Sequence, residues 1–474
     1  MHFLSKYKFL AFACCISIVL ASCDKTTTED PQDPQDPNTP ENPNPSTPSE
    51  PSIPSQAEAM SPVAQKQYLE SVGIQLLEYF KINKFNELTD LLSYSYNTYS
   101  NYSCDNISSW ASEIYQDLIN VSGQTSEKDK DGNTIYYNNS TVLIMASNFH
   151  SHFIAQNGTW VKVENATNDN LQFEFKDQHN QTCILKLSSS GEIKKVRVAN
   201  FDDWYDSDYN SSTNTYSDYY DRTQLTIGIP EQIVLTLTCN EKVMLKETLN
   251  IDLSSITNEQ FDFSKSSINL SAILELCNGY KIELSKASYT PNNLCIDFNL
   301  SSNGTSLIKM TTSSDIKDIP SIKLEDLYSF DEDDYDVSNT SASNAYAKID
   351  ILGKVQVQGA ISQVNKYIEY LYSAENNDTN ESEFKSYINQ ANALTKFYVL
   401  YDGTETIQAS IKLEPFVESG YGSYSDYWYY EPVFVFYDGS SYCSLEAFFY
   451  DADFKKVLDT FEQIIEDYSN KFND

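Results

Sequence analysis

The amino-acid sequence predicts an α+β protein: an N-terminal helical segment, a broad antiparallel β-sheet region and a small C-terminal α+β unit ending in an amphipathic helix. Three observations carry that expectation. Apolar residues follow helical spacing before residue 120, alternate with a period of two through the middle of the chain, and mix both patterns after about residue 345.

In the helical region 59–120, Leu69, Val72, Leu76, Leu77 and Phe80 fall on one face of a first helix. Phe85, Leu88, Leu91 and Leu92 mark a second, and Asn106 opens a third that carries Trp110, Ile114 and Leu118. The region 121–340 is read as an antiparallel β domain. Strands 171–176, 182–187 and 192–198 form a meander expected to turn at Ser189-Ser190-Gly191. Strands 233–238, 242–251, 268–276, 280–286, 294–300 and 306–312 follow. Between their arms, Asn240-Glu241, Asn278-Gly279 and Asn303-Gly304 supply the residues that tight hairpins need.

The region 341–474 is the α+β unit. It has a strand over 345–357, helices over 361–372 and 383–394, and strands over 397–401, 405–413, 431–437 and 441–449. Asp451 is placed to cap a last helix, whose expected buried stripe is Phe454, Val457, Leu458, Phe461, Ile464, Ile465 and Tyr468.

The start of the chain reads as a secretory leader. Lys6 and Lys8 precede an apolar run from Phe9 to Val19, and Leu20-Ala21-Ser22-Cys23 matches the bacterial lipobox, in which the cysteine is acylated after cleavage. Residues 1–22 are thus expected to be a signal peptide, with Cys23 the lipid attachment site. Two or three acyl chains anchor stably, because each buried methylene contributes about 0.8 kcal/mol. Residues 23–58 place proline at nearly every third position among acids and amides, which suits a semi-extended tether.

A formal charge of −36 sets the chain against nucleic acid and anionic headgroups. Arg197 and Arg222 are the only arginines, so guanidinium clamps for phosphate are nearly absent. Beyond Cys23, the cysteines Cys104, Cys183, Cys239, Cys277, Cys295 and Cys443 form no CxxC and read first as packed thiols, second as one or two disulfides. His150 and His152 form an H-x-H without a third ligand at fixed spacing, and Asp129-Lys130-Asp131-Gly132-Asn133 lacks the closing carboxylate of a calcium loop. No metal, cofactor or catalytic residue is assigned. The chain has 68 acids, and a glycosidase-type carboxylate pair has no signature that would single it out among them.

The lipobox, the acidic Pro-rich tether, the preference for Lys over Arg and the run EPVFVFYDGSSYCSLEAFFYDADFKKVLDTFEQIIEDY resemble the uncharacterised surface lipoproteins of Bacteroidota. That resemblance implies an outer-membrane, surface-facing location and carries no activity with it. Tyr is frequent, at 35 residues, and clusters with Asp around Trp204-Tyr205 and Trp428-Tyr429, as a sugar-binding surface requires. The leading expectation is therefore a non-enzymatic lipoprotein that binds a glycan through Trp204, Tyr205, Trp428 and Tyr429. Two alternatives stand beside it: an assembly component that contacts another envelope protein, and a half-barrel carrier of an apolar ligand.

Overall fold

The structure, a computed structural model, describes residues 59–128, 134–164, 169–210, 215–326, 341–419, 426–437, 442–450 and 454–473. Three helices lead: α1 (Pro62–Glu78), α2 (Asn86–Tyr99) and α3 (Asp105–Leu118). Ser61 accepts a hydrogen bond from the Ala64 amide, and Pro62 fills the first helical position, where no amide donor is missed.

The strands follow: β1 (Ile119–Lys128), β2 (Thr134–Met145), β3 (Ser151–Gln156), β4 (Thr159–Lys162), β5 (Asn170–Lys176), β6 (Thr182–Asn210) and β7 (Thr215–Cys239). Next come β8 (Lys242–Asp252), β9 (Ile268–Leu276), β10 (Tyr280–Thr290), β11 (Asn293–Ser302), β12 (Thr305–Lys317), β13 (Ser341–Ile351) and β14 (Val355–Ser362). Helices α4 (Val364–Glu375) and α5 (Glu381–Ala393) interrupt the sheet before β15 (Thr395–Tyr401), β16 (Ile407–Glu418), β17 (Tyr427–Phe436) and β18 (Tyr442–Ser444). The short α6 (Leu445–Tyr450) and the terminal α7 (Lys455–Asn473) complete the order.

From β5 to β18 each strand pairs antiparallel with the next, so one sheet runs through residue 341, where the sequence suggested a passage between domains. Among the described residues the two parallel pairs are β2 with β7 and β3 with β5. An apolar row crosses the sheet through directly opposed residues: Leu274, Ile282, Leu300, Ile308, Ile351, Val355 and Tyr401. Helices cover this apolar side on both flanks. Leu88 and Leu91 of α2 pack with Phe175, Cys183, Leu237 and Met244, while Val72 of α1 joins Val355, Val399, Tyr401, Ala409 and Phe434. The buried Gln65 ties α1 to the sheet, donating to the Met60 and Gln408 carbonyls and accepting from the Tyr401 hydroxyl.

The predicted fold class holds, and four local expectations are corrected. Ser189-Ser190-Gly191 does not reverse the chain: β6 runs straight through it on a bulge between Ser190 and Ile193. Residues 345–357 are not one strand but parts of β13 and β14, joined where Leu352 and Gly353 take φ of 57° and 68°. The expected strand over 441–449 becomes helical at Leu445. Of the expected stripe, Phe454 just ahead of α7 and Ile464 on it are buried, but Leu458, Phe461 and Ile465 are exposed, the last by 54 %. The reason is that α7 rests on α1 and α2, with Val457 against Gly73, and a helix on a helix buries a narrower line than a helix on a sheet. The proposed cap at Asp451 lies outside the described residues.

Candidate functional site

One transverse row of side chains stands apart from the apolar pattern. Ser190 of β6, Gln232 of β7, Asn250 of β8 and Ser271 of β9 oppose one another directly across four strands. Strand alternation points them away from the side on which Leu235 and Leu237 lie. They are joined by hydrogen bonds running one way: Ser190 Oγ donates to Gln232 Oε1 at 3.3 Å, Gln232 Nε2 to Asn250 Oδ1 at 2.9 Å, and Asn250 Nδ2 to Ser271 Oγ at 3.1 Å.

Each amide in the row keeps one N–H and one carbonyl lone pair beyond these bonds, and the Ser271 hydroxyl keeps its proton. Here the sheet presents a line of alternating donors and acceptors rather than a greasy face.

A β-bulge lies at each end of this row. In β6 the register shifts between Ser190 and Ile193, and in β10 between Leu284 and Ala287. Bulges bend a strand and increase its twist, and here they flank a groove of about 630 Å³. Gly191 makes the first bulge possible. Its φ is +86°, and a Cβ there would stand 2.5 Å from Glu231 Oε2, so only glycine lets that carboxylate settle against the backbone.

Charge of both signs rims the groove. Lys194 Nζ lies 2.8 Å from Glu192 Oε1, and this hydrogen bond, with Glu231 and Asp252 beyond it, raises the ammonium pKa. The Asp252 carboxyl is lowered, first by hydrogen bonds from Ser254 and then by Asn269 and Lys194. Lys286, in the second bulge, adds a further ammonium to the lining. Such a surface offers many oriented polar contacts at near-balanced local charge. That is the chemistry of a ligand rich in hydroxyls or amides.

The residues singled out from sequence fall elsewhere and do not converge. Trp204 and Tyr205 lie on β6, opposed in register to Tyr220 and Tyr219. Trp428 and Tyr429 lie on β17, with β7 to β16 between the two pairs along the ladder. Trp428 packs toward α5: its ring centroid is 6.4 Å from that of Phe384, Lys385 Nζ sits 4.3 Å over its ring, and its amide donates to the Asp378 carbonyl at 2.6 Å. Tyr429 points the other way, stacked with Phe416 at 5.8 Å and 36 % exposed. Cys23 lies outside the described residues, as does the 129–133 segment.

The remaining candidates have structural partners. His152 Nε2 faces Glu174 at 3.4 Å and Gln172 at 3.3 Å, while His150 precedes β3. Among the described residues no group of three His, Cys, Asp or Glu is arranged around a common point. Arg197 pairs with the buried Glu325 at 3.4 Å, and Arg222 lies 3.8 Å over the Tyr137 ring, so both guanidinium groups are engaged within the chain.

The groove residues were missed because Ser, Gln and Asn at alternate strand positions look like an ordinary solvated face. What would have revealed them is the register, which lines up one polar side chain from each of four strands. The chain matches no family model, no curated protein and no solved structure.

Proposed function

We propose that this protein is an envelope lipoprotein, anchored through acylated Cys23 on a surface-facing outer membrane, that binds a neutral glycan without turning it over. The observation that carries the binding reading is the Ser190–Gln232–Asn250–Ser271 row within a groove of about 630 Å³. Sugars present hydroxyls that donate and accept along their edges, and a file of half-used amides matches that pattern. With a net charge of −36, the chain favours a neutral ligand over an anionic one. Supporting the anchor, the lipobox stands at the end of an apolar leader.

Two measurements test this reading. On an array of neutral oligosaccharides, binding should be lost in Gln232→Ala and Asn250→Ala and retained in Trp428→Phe. An array that the wild-type chain leaves blank overturns the glycan proposal. Separately, Cys23→Ala should move the protein from the membrane fraction to the soluble one, and continued membrane retention overturns the anchor.

A further inference from the structure

Two of the cysteines are placed for more than packing. Cys183 on β6 and Cys239 on β7 are directly opposed in register. The Asn240 amide donates to the Thr182 carbonyl at 2.9 Å, which makes 182 and 240 the hydrogen-bonded pair and leaves 183 and 239 as the adjacent non-hydrogen-bonded pair. At such pairs the Cα atoms stand about 4.5 Å apart and the side chains come closest, within the range that a disulfide spans. Both thiols also turn toward the same short segment: Cys183 Sγ donates to the Gln181 carbonyl at 3.9 Å, and Cys239 Sγ to Asp177 Oδ2 at 3.6 Å and Gln181 Oε1 at 3.8 Å.

We propose that Cys183 and Cys239 form a cross-strand disulfide that staples the open end of the long β6–β7 hairpin. The chemistry is thiol–disulfide exchange with a disulfide oxidant, whether a small-molecule disulfide or a protein disulfide. Cys239 is half-buried and Cys183 fully buried, so the Cys239 thiolate attacks the oxidant and forms a mixed disulfide. Cys183 then gives up its proton and attacks the Cys239 sulfur. The first attack breaks the oxidant's S–S bond and releases one of its sulfurs as a thiol; the second forms the Cys183–Cys239 bond and releases the other. The oxidant thus takes up the two electrons and, by way of solvent, the two protons that the pair gives up. Asp177 Oδ2 accepts the Cys239 thiol's hydrogen bond at 3.6 Å and holds it in its protonated form, so the first proton passes to a base in solvent.

Burial pushes both thiols above their ordinary range, most strongly Cys183. Oxidation of the folded chain is therefore slow at neutral pH and faster in alkali, and it is fastest before α2 closes over Cys183. The closed loop runs from residue 183 to residue 239, long enough for a sizeable loss of unfolded-state entropy. Cys277 packs against the same apolar cluster, but it lies on the loop that follows β9 at Leu276 and opposes neither Cys183 nor Cys239.

The test is peptide mapping of the full chain after treatment with oxidised glutathione. The thiols are blocked with N-ethylmaleimide in denaturant, so that burial cannot hide them, and the protein is then digested without reductant. A peptide joining the segments that hold Cys183 and Cys239 is expected, 2 Da lighter than the sum of the two free peptides and split by reduction. Cys277→Ser should leave that link in place, and the oxidised form should melt higher than the reduced form. Complete blocking of both thiols in the wild-type chain, or a link from Cys239 to Cys277 instead, overturns the proposal.

Discussion

The strands β16 and β17 and the strands β6 to β10 belong to one sheet and reach opposite outcomes. The first pair is the aromatic showpiece of the sequence, and its inward rings are spent on packing while Tyr427 and Tyr429 stay exposed. Trp428 and Tyr430 lie against Phe384 under α5, and the Tyr430 hydroxyl donates to Glu375 at 2.8 Å. The second set keeps its aromatics out of the groove lining, and two bulges and an amide row open a recess that no helix fills among the described residues. Aromatic content marks where apolar area is available. Backbone irregularity marks where the sheet leaves room.

That contrast breaks if the aromatic strands prove dispensable to stability. Phe384 is 1 % exposed at the centre of the cluster that holds Ala374, Ile388, Trp428 and Tyr430. Phe384→Ala should lower unfolding free energy by about 3–5 kcal/mol in urea titration while leaving ligand binding by the folded protein intact. A loss below about 1 kcal/mol would mean that the rings are free for another task.

The groove side should respond differently. Gly191→Ala forces a Cβ onto a left-handed residue and against Glu231, at a cost of about 1–2 kcal/mol. It should also weaken ligand binding, because the bulge that shapes the recess must move. Asn250→Ala removes one link of the row at a half-exposed position and should cost stability less than about 1 kcal/mol. Binding should fall about tenfold or more, the loss that follows when polar ligand groups go unpaired. Equal losses of stability in Phe384→Ala and Asn250→Ala would erase the distinction between the two regions.

Much of the fold was legible because it is repetitive. β9 begins and ends where apolar alternation begins and ends, from Ile268 to Leu276, and the Asn-Gly at 303–304 makes the turn its chemistry demands, with φ of 48° and 82°. Gly191 misled for a physical reason. A glycine at positive φ serves a reversal or a bulge equally well, and only pairing with β7 on both sides of it, from Thr238 back to Ile227, decides the matter. The exposed side of α7 was likewise hidden, since periodicity gives the width of an apolar stripe but not the width of what covers it. The site itself was illegible. Ser190, Gln232, Asn250 and Ser271 are distant in sequence and unremarkable singly, and only the ladder makes them a row.

The two regions should also separate by pH, a modest effect that reads both at once. Asp262 lies in the segment that follows the groove strand β8. Burial pushes its carboxyl up, but hydrogen bonds from Lys265, Ser264 and Ser321 outweigh that and hold it well below the carboxylate range. A depressed folded pKa adds stability that is present above the unfolded value, near 3.9, and is lost as pH falls through the folded one. On the aromatic side, burial raises Tyr367 to about 12 and raises Tyr430 further, with help from Glu375. A raised tyrosine contributes fully below its unfolded value, near 10, and loses that contribution as pH climbs through the folded one. Asp262→Asn should therefore flatten the acid limb of a stability–pH curve, by on the order of 1 kcal/mol, and leave the alkaline limb alone. Tyr430→Phe should do the reverse. If either substitution shifted both limbs together, the groove side and the aromatic side would be unfolding as one titrating unit, and the division between them would be one of packing only.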